Sequence, residues 1–268
     1  MLLSLVACDS PLCLTRVVPT DETQDAVLRL VSSMSPAEQR ELLDSLLGRD
    51  PIDMFFELSQ PKPPTLLRKP HKVRGFQVRI DLLGVKPPIW RRLILPGDLT
   101  LDCVHAVLNE AMGWTNSHLH RFRTGNDPYS PHFITEFDLS EGDEGVLEDD
   151  VRLDQVVAAK GVRLWYDYDF GDGWEHVVKV EAVLPEPPED IELVTGRRAC
   201  PPEDVGGPWG YDGVARWVES GYDKTLLPEQ FENAQHAKEW LPLGWHPAVF
   251  DLEAARISLR DALEPVDG

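Results

Sequence analysis

Apolar and polar residues alternate from Gly75 onward, and this alternation limits the possible folds more than any other feature. The apolar positions are Phe76, Val78, Ile80 and Leu82. A period of two is typical of a β-strand with one buried face. A turn at Gly84–Pro88 leads into a second apolar run, Ile89–Leu95, which reads as the returning strand of a hairpin. This part of the chain must therefore contain a sheet.

The first part of the chain has helical spacing instead. Ser35–Glu38 is a capping box with proline at the first helical position, and a leucine-rich run follows it until Gly48. The proline-rich segment Gln60–Pro64 then stops regular structure and supplies a stiff linker. We expect a small all-helical N-terminal appendage with its linker in residues 1–70, and a second domain in residues 71–268.

Further elements of the second domain follow from its periodicity. Thr100 opens a helix that Gly113 closes, and strands are expected at 119–123, 162–169 and 175–184. Helices are expected near 211–220, 228–240 and 252–263. Glu136–Asp154 carries nine acidic residues against one arginine and reads as a solvated loop. The order β-β-α-β-β-β followed by helices predicts an α+β fold with a mixed or antiparallel sheet.

Charge and cysteine content exclude several classes of protein. The chain has 26 Lys+Arg against 46 Asp+Glu, a net charge of −20. Such a field repels phosphate backbones, so nucleic-acid binding by the chain alone is not expected. No apolar run approaches the roughly 20 residues that span a bilayer, so no membrane association is expected. The four cysteines (Cys8, Cys13, Cys103 and Cys200) form no C-x-x-C pair, which favours a reducing compartment and a cytoplasmic location.

Four segments concentrate the residues that carry chemistry. They are Lys86–Arg92 (KPPIWRR), Gly113–His120 (GWTNSHLH), Tyr166–His176 (YDYDFGDGWEH) and Ala199–Tyr211 (ACPPEDVGGPWGY). In this order they resemble the Ri-plasmid ORF-three-like family, whose members are often labelled TnpR-like passenger proteins of insertion elements. The resemblance implies a compact α+β domain and a mobile-element context. It does not make the chain a DNA resolvase, because the C-terminal part is acidic and lacks an arginine-rich site.

Aromatic residues cluster in these segments, together with polar groups on proline- and glycine-fixed loops. Such surfaces bind protein or peptide ligands at a low cost in conformational entropy. The favoured interpretation is a non-catalytic interaction module whose partner is a protein or peptide. The predicted cleft residues are Trp90, Arg91, Trp114, Asn116, Tyr168, Asp169, Asp172, Trp174, Glu175, Trp209 and Tyr211.

The alternative interpretation is a divalent transition-metal site. His118 and His120 are two residues apart at a predicted strand, and a His-x-His pair on one strand face can chelate an ion. His176 and Cys200 would complete the set, with Asp169 or Glu175 as further ligands. Glu203 or Asp204 would then serve as the base for a metal-activated water in a hydrolase.

Two other interpretations stay open at this point. The histidines can form structural hydrogen bonds, Asp169–Gly173 can be explained as a tight hairpin, and Cys200 can be a small buried apolar residue or, less readily, a nucleophile. No P-loop, dinucleotide fingerprint, H-E-x-x-H or nucleophile elbow is present in the sequence.

Overall fold

The computed structural model describes residues 2–4, 15–17, 29–46 and 63–263, and divides the chain into two compact units, Met1–Pro61 and Lys62–Gly268. In the first unit, β1 (Leu2–Ser4) pairs antiparallel with β2 (Thr15–Val17). A short helical segment at 29–33 precedes α1 (Pro36–Leu46). The helical N-terminal part expected from the sequence is therefore present, together with a two-stranded ladder that the sequence did not predict.

Helix α1 begins where the sequence predicts. The Ser35 backbone N–H donates to the Glu38 carboxylate at 2.7 Å, and the Glu38 N–H donates to the Ser35 hydroxyl at 3.3 Å. These reciprocal bonds are the capping box, so each satisfies a backbone or side-chain group that the first turn leaves open.

A six-stranded antiparallel sheet forms the centre of the second unit. Its spatial order is β5-β6-β7-β3-β4-β8, and the α+β fold predicted from the sequence is confirmed. The strands are β3 (Gly75–Leu82), β4 (Trp90–Pro96), β5 (His120–Arg123), β6 (Arg163–Tyr168), β7 (Trp174–Leu184) and β8 (Glu192–Arg197).

Helices cover one face of the sheet, and the alternation of the strands explains why. Val78, Ile80, Leu93 and Val180 are fully buried and share one core with helix residues such as Val104. The opposite face carries partly exposed ion pairs such as Arg92–Glu181. The helices of this unit are α2 (Leu101–Met112), α3 (Glu136–Glu141), α4 (Leu153–Val156), α5 (Gly207–Glu219), α6 (Ala234–Trp240) and α7 (Leu252–Leu263), with 3-10 turns at Glu148–Asp150 and Lys224–Leu226.

The acidic stretch 136–154 differs from its prediction as a solvated loop. It holds α3, a 3-10 turn and the first residues of α4. Glu148 is 3% exposed and accepts a hydrogen bond from the His120 ring, while Asp154 is 1% exposed and pairs with Arg152. Two of the acids are therefore buried with a partner, Glu148 with His120 from β5 and Asp154 with Arg152 from the stretch itself.

Two other elements depart from the sequence prediction. Strand β8 was not predicted, because it is an edge strand that pairs only with β4 and contains Gly196, a poor strand former. Helix α6 begins at Ala234 rather than near Pro228, since the Asn233 side chain accepts hydrogen bonds from two backbone N–H groups and caps it there.

One end of the sheet gathers the four segments that the sequence singled out. His120 at the start of β5 pairs with Tyr168 at the end of β6, and Leu82 at the end of β3 pairs with His176 near the start of β7. Trp90 pairs with Arg197 at the same end. The turn 84–88, the loop 113–119, the hairpin turn 169–173 and the loop 198–206 therefore lie together there. No helix in the described ranges is both long and apolar enough to cross a membrane.

Candidate functional site

His118, Asp169 and Asp204 meet at this end of the sheet. The His118 Nδ1 atom lies 3.7 Å from Asp169 Oδ2, and its Nε2 atom lies 3.6 Å from Asp204 Oδ1. One donor atom from each of the three residues lies within 4.8 Å of the other two, and no second group of this kind occurs among the described residues. Nδ1 and Nε2 belong to one ring, and a given ion binds only one of them, so the three donor atoms that could share an ion are spread over up to 4.8 Å. Donors that share one ion with bonds of about 2.0–2.2 Å lie about 3–4 Å apart, so one carboxylate must move towards the ion for all three residues to bind it.

Asp169 is fixed by the hairpin turn that it begins. Its backbone has φ +54°, and its Oδ1 atom accepts hydrogen bonds from the N–H groups of Gly171 (3.0 Å) and Asp172 (3.2 Å). Those bonds leave Oδ2 directed at His118. The side chain is 9% exposed. A carboxylate with one oxygen held by the backbone and the other presented to a histidine is preorganised to bind a cation.

Asp204 is presented by its neighbour Glu203. The Glu203 carboxylate accepts hydrogen bonds from the Thr115 hydroxyl (2.6 Å) and the Tyr168 hydroxyl (2.7 Å), and weaker ones from the Thr115 N–H and the Ser117 hydroxyl. Burial alone would raise the pKa of Glu203, but the bonds from Thr115 and Tyr168 outweigh it and lower the pKa. Glu203 thus anchors the loop, and Asp204 projects from it with 75% of its side chain exposed.

The loop that bears Glu203 and Asp204 is held against the hairpin turn and the loop after α2. The Gly206 N–H donates to Asp172 Oδ2 at 3.1 Å, and the Trp114 indole N–H donates to the Pro201 carbonyl at 3.0 Å. Gly207 has φ +66° and approaches the Asp172 carbonyl so closely that a Cβ would lie 2.3 Å from its oxygen. Glycine at position 207 is therefore required for this contact.

Left-handed backbone conformations concentrate at the site. Asn116, Asp169 and Asp204 are three of the five non-glycine residues with positive φ among those described. Such conformations cost about 1–3 kcal/mol each and persist where the surroundings impose them, often at functional sites. In addition, His118 Nε2 is buried and has no hydrogen-bond partner within the described part of the chain. A buried nitrogen without a partner is what a bound ligand or ion would satisfy.

The four predicted metal ligands are not gathered into one set. His118 belongs to the cluster above, but His120 stacks on the ring of His105 with centroids 3.4 Å apart and bonds to Glu148 at 2.9 Å. His176 is fully buried, and its Nδ1 atom lies 3.1 Å from the Tyr166 carbonyl. Burial lowers the pKa of His176 to about 4 and raises the pKa of Cys200. The predicted pairing of His118 with His120 on one metal ion is not formed, because the rings of His120 and His176 are each taken up by a neighbour within the core.

The predicted cleft residues do not share one cleft, and seven of them lie at or beside the cluster to which Asp169 belongs. Trp114, Asn116, Tyr168 and Asp172 lie around the cluster, with Trp114 stacked on Tyr168 at 4.8 Å. Trp174 is fully buried beneath it. Glu175 lines an adjoining groove of about 300 Å³.

The other three predicted cleft residues and Arg91 lie elsewhere. Trp90 is on the opposite face of the sheet, with the Arg79 guanidinium 4.4 Å from its ring centre. Arg91 is 1% exposed, donates to main-chain carbonyls including that of Ala111, and has a pKa lowered by burial to about 10. Trp209 and Tyr211 border a separate groove of about 350 Å³ beside Gly84–Lys86.

Sequence reasoning missed several residues that shape the site. Thr115 and Ser117 hold Glu203, and they carry no signal beyond their place in a motif loop. His105 donates or accepts at both ring nitrogens, to Tyr166 (2.8 Å) and to Asn116 (2.6 Å), and burial lowers its pKa to about 4. Its position on the apolar stripe of α2 was a usable signal, because a polar residue there requires buried partners.

The fold and the site define an antiparallel α+β domain whose motif loops bring one histidine and two aspartates together at one end of the sheet. Residues 74–254 match the family described as "Plasmid pRiA4b ORF-3-like protein". The chain belongs to this family, and the resemblance stated from the motifs is confirmed.

Two relatives are similar over much of this domain. The "Uncharacterized protein y4hQ" of Sinorhizobium fredii is 41% identical over 137 residues, which cover 50% of this chain and 68% of the relative. A crystal structure of a "Protein of Unknown Function", MM3350 from Methanosarcina mazei, has a TM-score of 0.55 and 28% identity, and covers 68% of this chain and 98% of its own.

Proposed function

We propose that this domain binds a divalent first-row transition-metal ion through His118, Asp169 and Asp204, and holds a water or small ligand on the same ion. The observation that carries the proposal is the convergence of the three donor groups within 4.8 Å. One imidazole and two carboxylates suit Zn²⁺, Mn²⁺ or Fe²⁺ better than Ca²⁺, which prefers oxygen ligands alone.

The exposure of the cluster supports a site with open coordination positions. Three protein ligands leave at least one position for another molecule, as in catalytic rather than structural metal sites. The exposed side of Asp204 faces solvent. A metal ion there lowers the pKa of bound water, so hydrolysis is the reaction class that the arrangement supports. Glu203, which was considered as a base, is bonded by four donor groups and is assigned a positioning role.

Titration of the metal-stripped full chain with Zn²⁺ and, separately, Mn²⁺ tests the proposal. We expect one equivalent of metal to bind, and we expect Asp204→Asn to raise the Kd at least tenfold without a change in fold, because that side chain is 75% exposed. His118→Ala should abolish binding. His71→Ala, which removes an exposed histidine, is the matched control and should bind as the unmodified protein does.

The same measurements can also contradict metal binding. A simple ion pair of His118 with two carboxylates would give no metal-dependent change in the His118 ring signals by NMR. If the unmodified chain binds no Zn²⁺ or Mn²⁺, or if Asp204→Asn and His118→Ala bind as well as His71→Ala, the metal proposal is wrong.

A protein-interaction function is the second candidate, and Trp209 favours it. The side chain is 90% exposed at the first turn of α5, beside a groove whose walls include Val85, Pro208 and Tyr211. Exposed aromatic residues beside apolar grooves often anchor partners. The net charge of −20 favours a basic peptide as the occupant. Selection from a displayed peptide library should enrich basic sequences that bind the chain but not its Trp209→Ala variant. Failure to enrich such sequences rejects this candidate.

A further inference from the structure

A groove of about 300 Å³ adjoins the His118–Asp169–Asp204 cluster. Asp169 belongs to both the cluster and the groove, since its carboxylate faces His118 and the residue forms part of the groove wall. The same hairpin turn contributes Phe170 and Gly173. A ligand in this groove therefore lies next to the proposed metal position. The remaining wall residues are Arg121, Asp167, Tyr168 and Glu175.

Arg121 is the cation of this groove, and its own carboxylate partner is largely committed to another arginine. Arg123 holds both oxygens of Asp167 with two bonds of 2.6 Å, and its side chain is 1% exposed. Arg121 reaches only Oδ2 of the same aspartate, at 3.4 and 3.2 Å, and is 30% exposed. Asp167 therefore pairs first with Arg123, and the N–H groups of Arg121, which reach it only at 3.2–3.4 Å, are able to pair with an anion from solution.

Phe170 adds an apolar surface beside this charge. Its side chain is 50% exposed, and the Arg121 guanidinium lies 5.4 Å from the centre of its ring. Stacking on an aromatic ring orients a guanidinium without using its N–H donors. A ligand with an anionic group and an apolar or aromatic group matches both residues.

The negative charges around the groove limit the charge of the ligand. Glu175 is exposed in the groove wall and is the register partner of Asp167 on the neighbouring strand. A dianion such as a phosphate monoester would meet the three wall carboxylates, Asp167, Asp169 and Glu175, with only one available arginine. A carboxylate carries one charge and matches the fork of a single guanidinium.

From these contacts we infer that the groove binds a small carboxylate ligand that bears an apolar or aromatic group, with Arg121 holding the carboxylate and Phe170 the apolar part. The inference rests on the proposed function in one respect, which is that the remainder of the ligand reaches the metal ion bound by Asp169.

Hippurate (N-benzoylglycinate) is a suitable probe because it combines a carboxylate, a neutral amide and an aromatic ring. Binding to the full chain is measured by calorimetry with and without Mn²⁺, and Mn²⁺ binding itself is followed by EPR. The uncharged N-benzoylglycinamide and the dianionic phenylphosphonate are the comparison ligands. Paramagnetic broadening of the hippurate proton signals by bound Mn²⁺ then reports whether the ligand lies beside the ion.

We expect Arg121→Gln to raise the Kd for hippurate at least tenfold while Mn²⁺ binding is unchanged. The fold should survive, because Arg123 still pairs with Asp167. Arg163→Gln, which removes an exposed arginine from the same sheet, is the matched control and should leave the Kd unchanged. Phe170→Ala should weaken hippurate more than acetate.

Each contrary result has a distinct meaning. Equal binding of hippurate by the Arg121→Gln and Arg163→Gln variants, equal binding of the uncharged amide, or tighter binding of phenylphosphonate overturns the carboxylate assignment. Mn²⁺ binding without hippurate binding overturns the inference but leaves the proposed function standing. Arg121-dependent hippurate binding without Mn²⁺ binding overturns the proposed metal function but leaves the carboxylate groove standing.

Discussion

Gly207→Ala tests the contact that seats the Glu203–Asp204 loop on the hairpin turn. Gly207 has φ +66°, and an added Cβ would lie 2.3 Å from the Asp172 carbonyl oxygen, whereas ordinary contacts begin near 3.4 Å. The loop must therefore move by about 1 Å. That movement breaks the hydrogen bond from Gly206 to Asp172 and shifts Asp204 away from His118.

The expected cost has two parts. Alanine at a positive φ costs about 1–2 kcal/mol, and loss of a hydrogen bond to a carboxylate costs about 1.5–3 kcal/mol. The free energy of unfolding should therefore fall by about 3 kcal/mol or more. For a domain of about 200 residues this corresponds to a decrease in Tm of roughly 6–12 °C.

Gly221→Ala is the matched control, because Gly221 has φ +76° but no heavy atom near an added Cβ. It should cost only the backbone part, about 1–2 kcal/mol. Urea denaturation gives the two free energies, and a Zn²⁺ titration gives the two Kd values. Gly207→Ala should be the less stable variant by about 2 kcal/mol and should bind Zn²⁺ at least tenfold more weakly. Equal stability and equal Zn²⁺ affinity of the two variants would refute the argument that this contact builds the site.

Three further predictions address the surrounding network. Burial lowers the pKa of both His105 and His176 from 6.5 to about 4. Between these values the unfolded chain binds more protons than the folded one, so the free energy of unfolding falls as the pH decreases from about 6.5 to about 4. The slope is up to about 2.7 kcal/mol per pH unit for the two histidines together. Urea denaturation at several pH values should show this slope, and His176→Phe should remove about half of it. Arg123→Met should lower the free energy of unfolding by about 3–5 kcal/mol, because it leaves buried Asp167 with only the long bonds of Arg121. If Arg123→Met lowers it no more than Arg121→Gln does, the difference seen between the two arginines is contradicted. Glu203→Ala should cost about 2 kcal/mol, because the hydroxyl of buried Tyr168 loses its acceptor. It should also weaken Zn²⁺ binding, and unchanged Zn²⁺ affinity would show that Glu203 does not position Asp204.

Much of the fold was predictable from local patterns. The alternation in β3 and β4, the capping box of α1 and the Gly113 end of α2 each depend on neighbouring residues only. Strand β8 was not predictable in this way, because an edge strand receives its stability from pairing with β4. The start of α6 depends on the Asn233 cap, a local signal that the predicted helix at 228–240 did not use.

The candidate site was likewise predictable only in part from the sequence. The sequence identified His118, Asp169 and Asp204 among its chemically important residues, because rare residue types were concentrated in short motif loops. It grouped His118 with His120 by their spacing on one strand, and added His176 from the strand after the hairpin and Cys200 from a proline- and glycine-rich loop. In the structure His120 is instead occupied by Glu148 and His105, and His176 by Tyr166, its register partner on the neighbouring strand.

The sequence by itself determined the family, the α+β class and the loops that carry the chemistry, because these depend on composition and on contacts between near neighbours. The tertiary structure decided which side chains share a site. The β5–β6 pairing sets His118 beside Asp169, and the Gly206-Gly207 contact brings Asp204 to the other side of the same ring. Contacts of this kind join residues 35 to 86 positions apart, and their energies arise only when the strands and loops have packed.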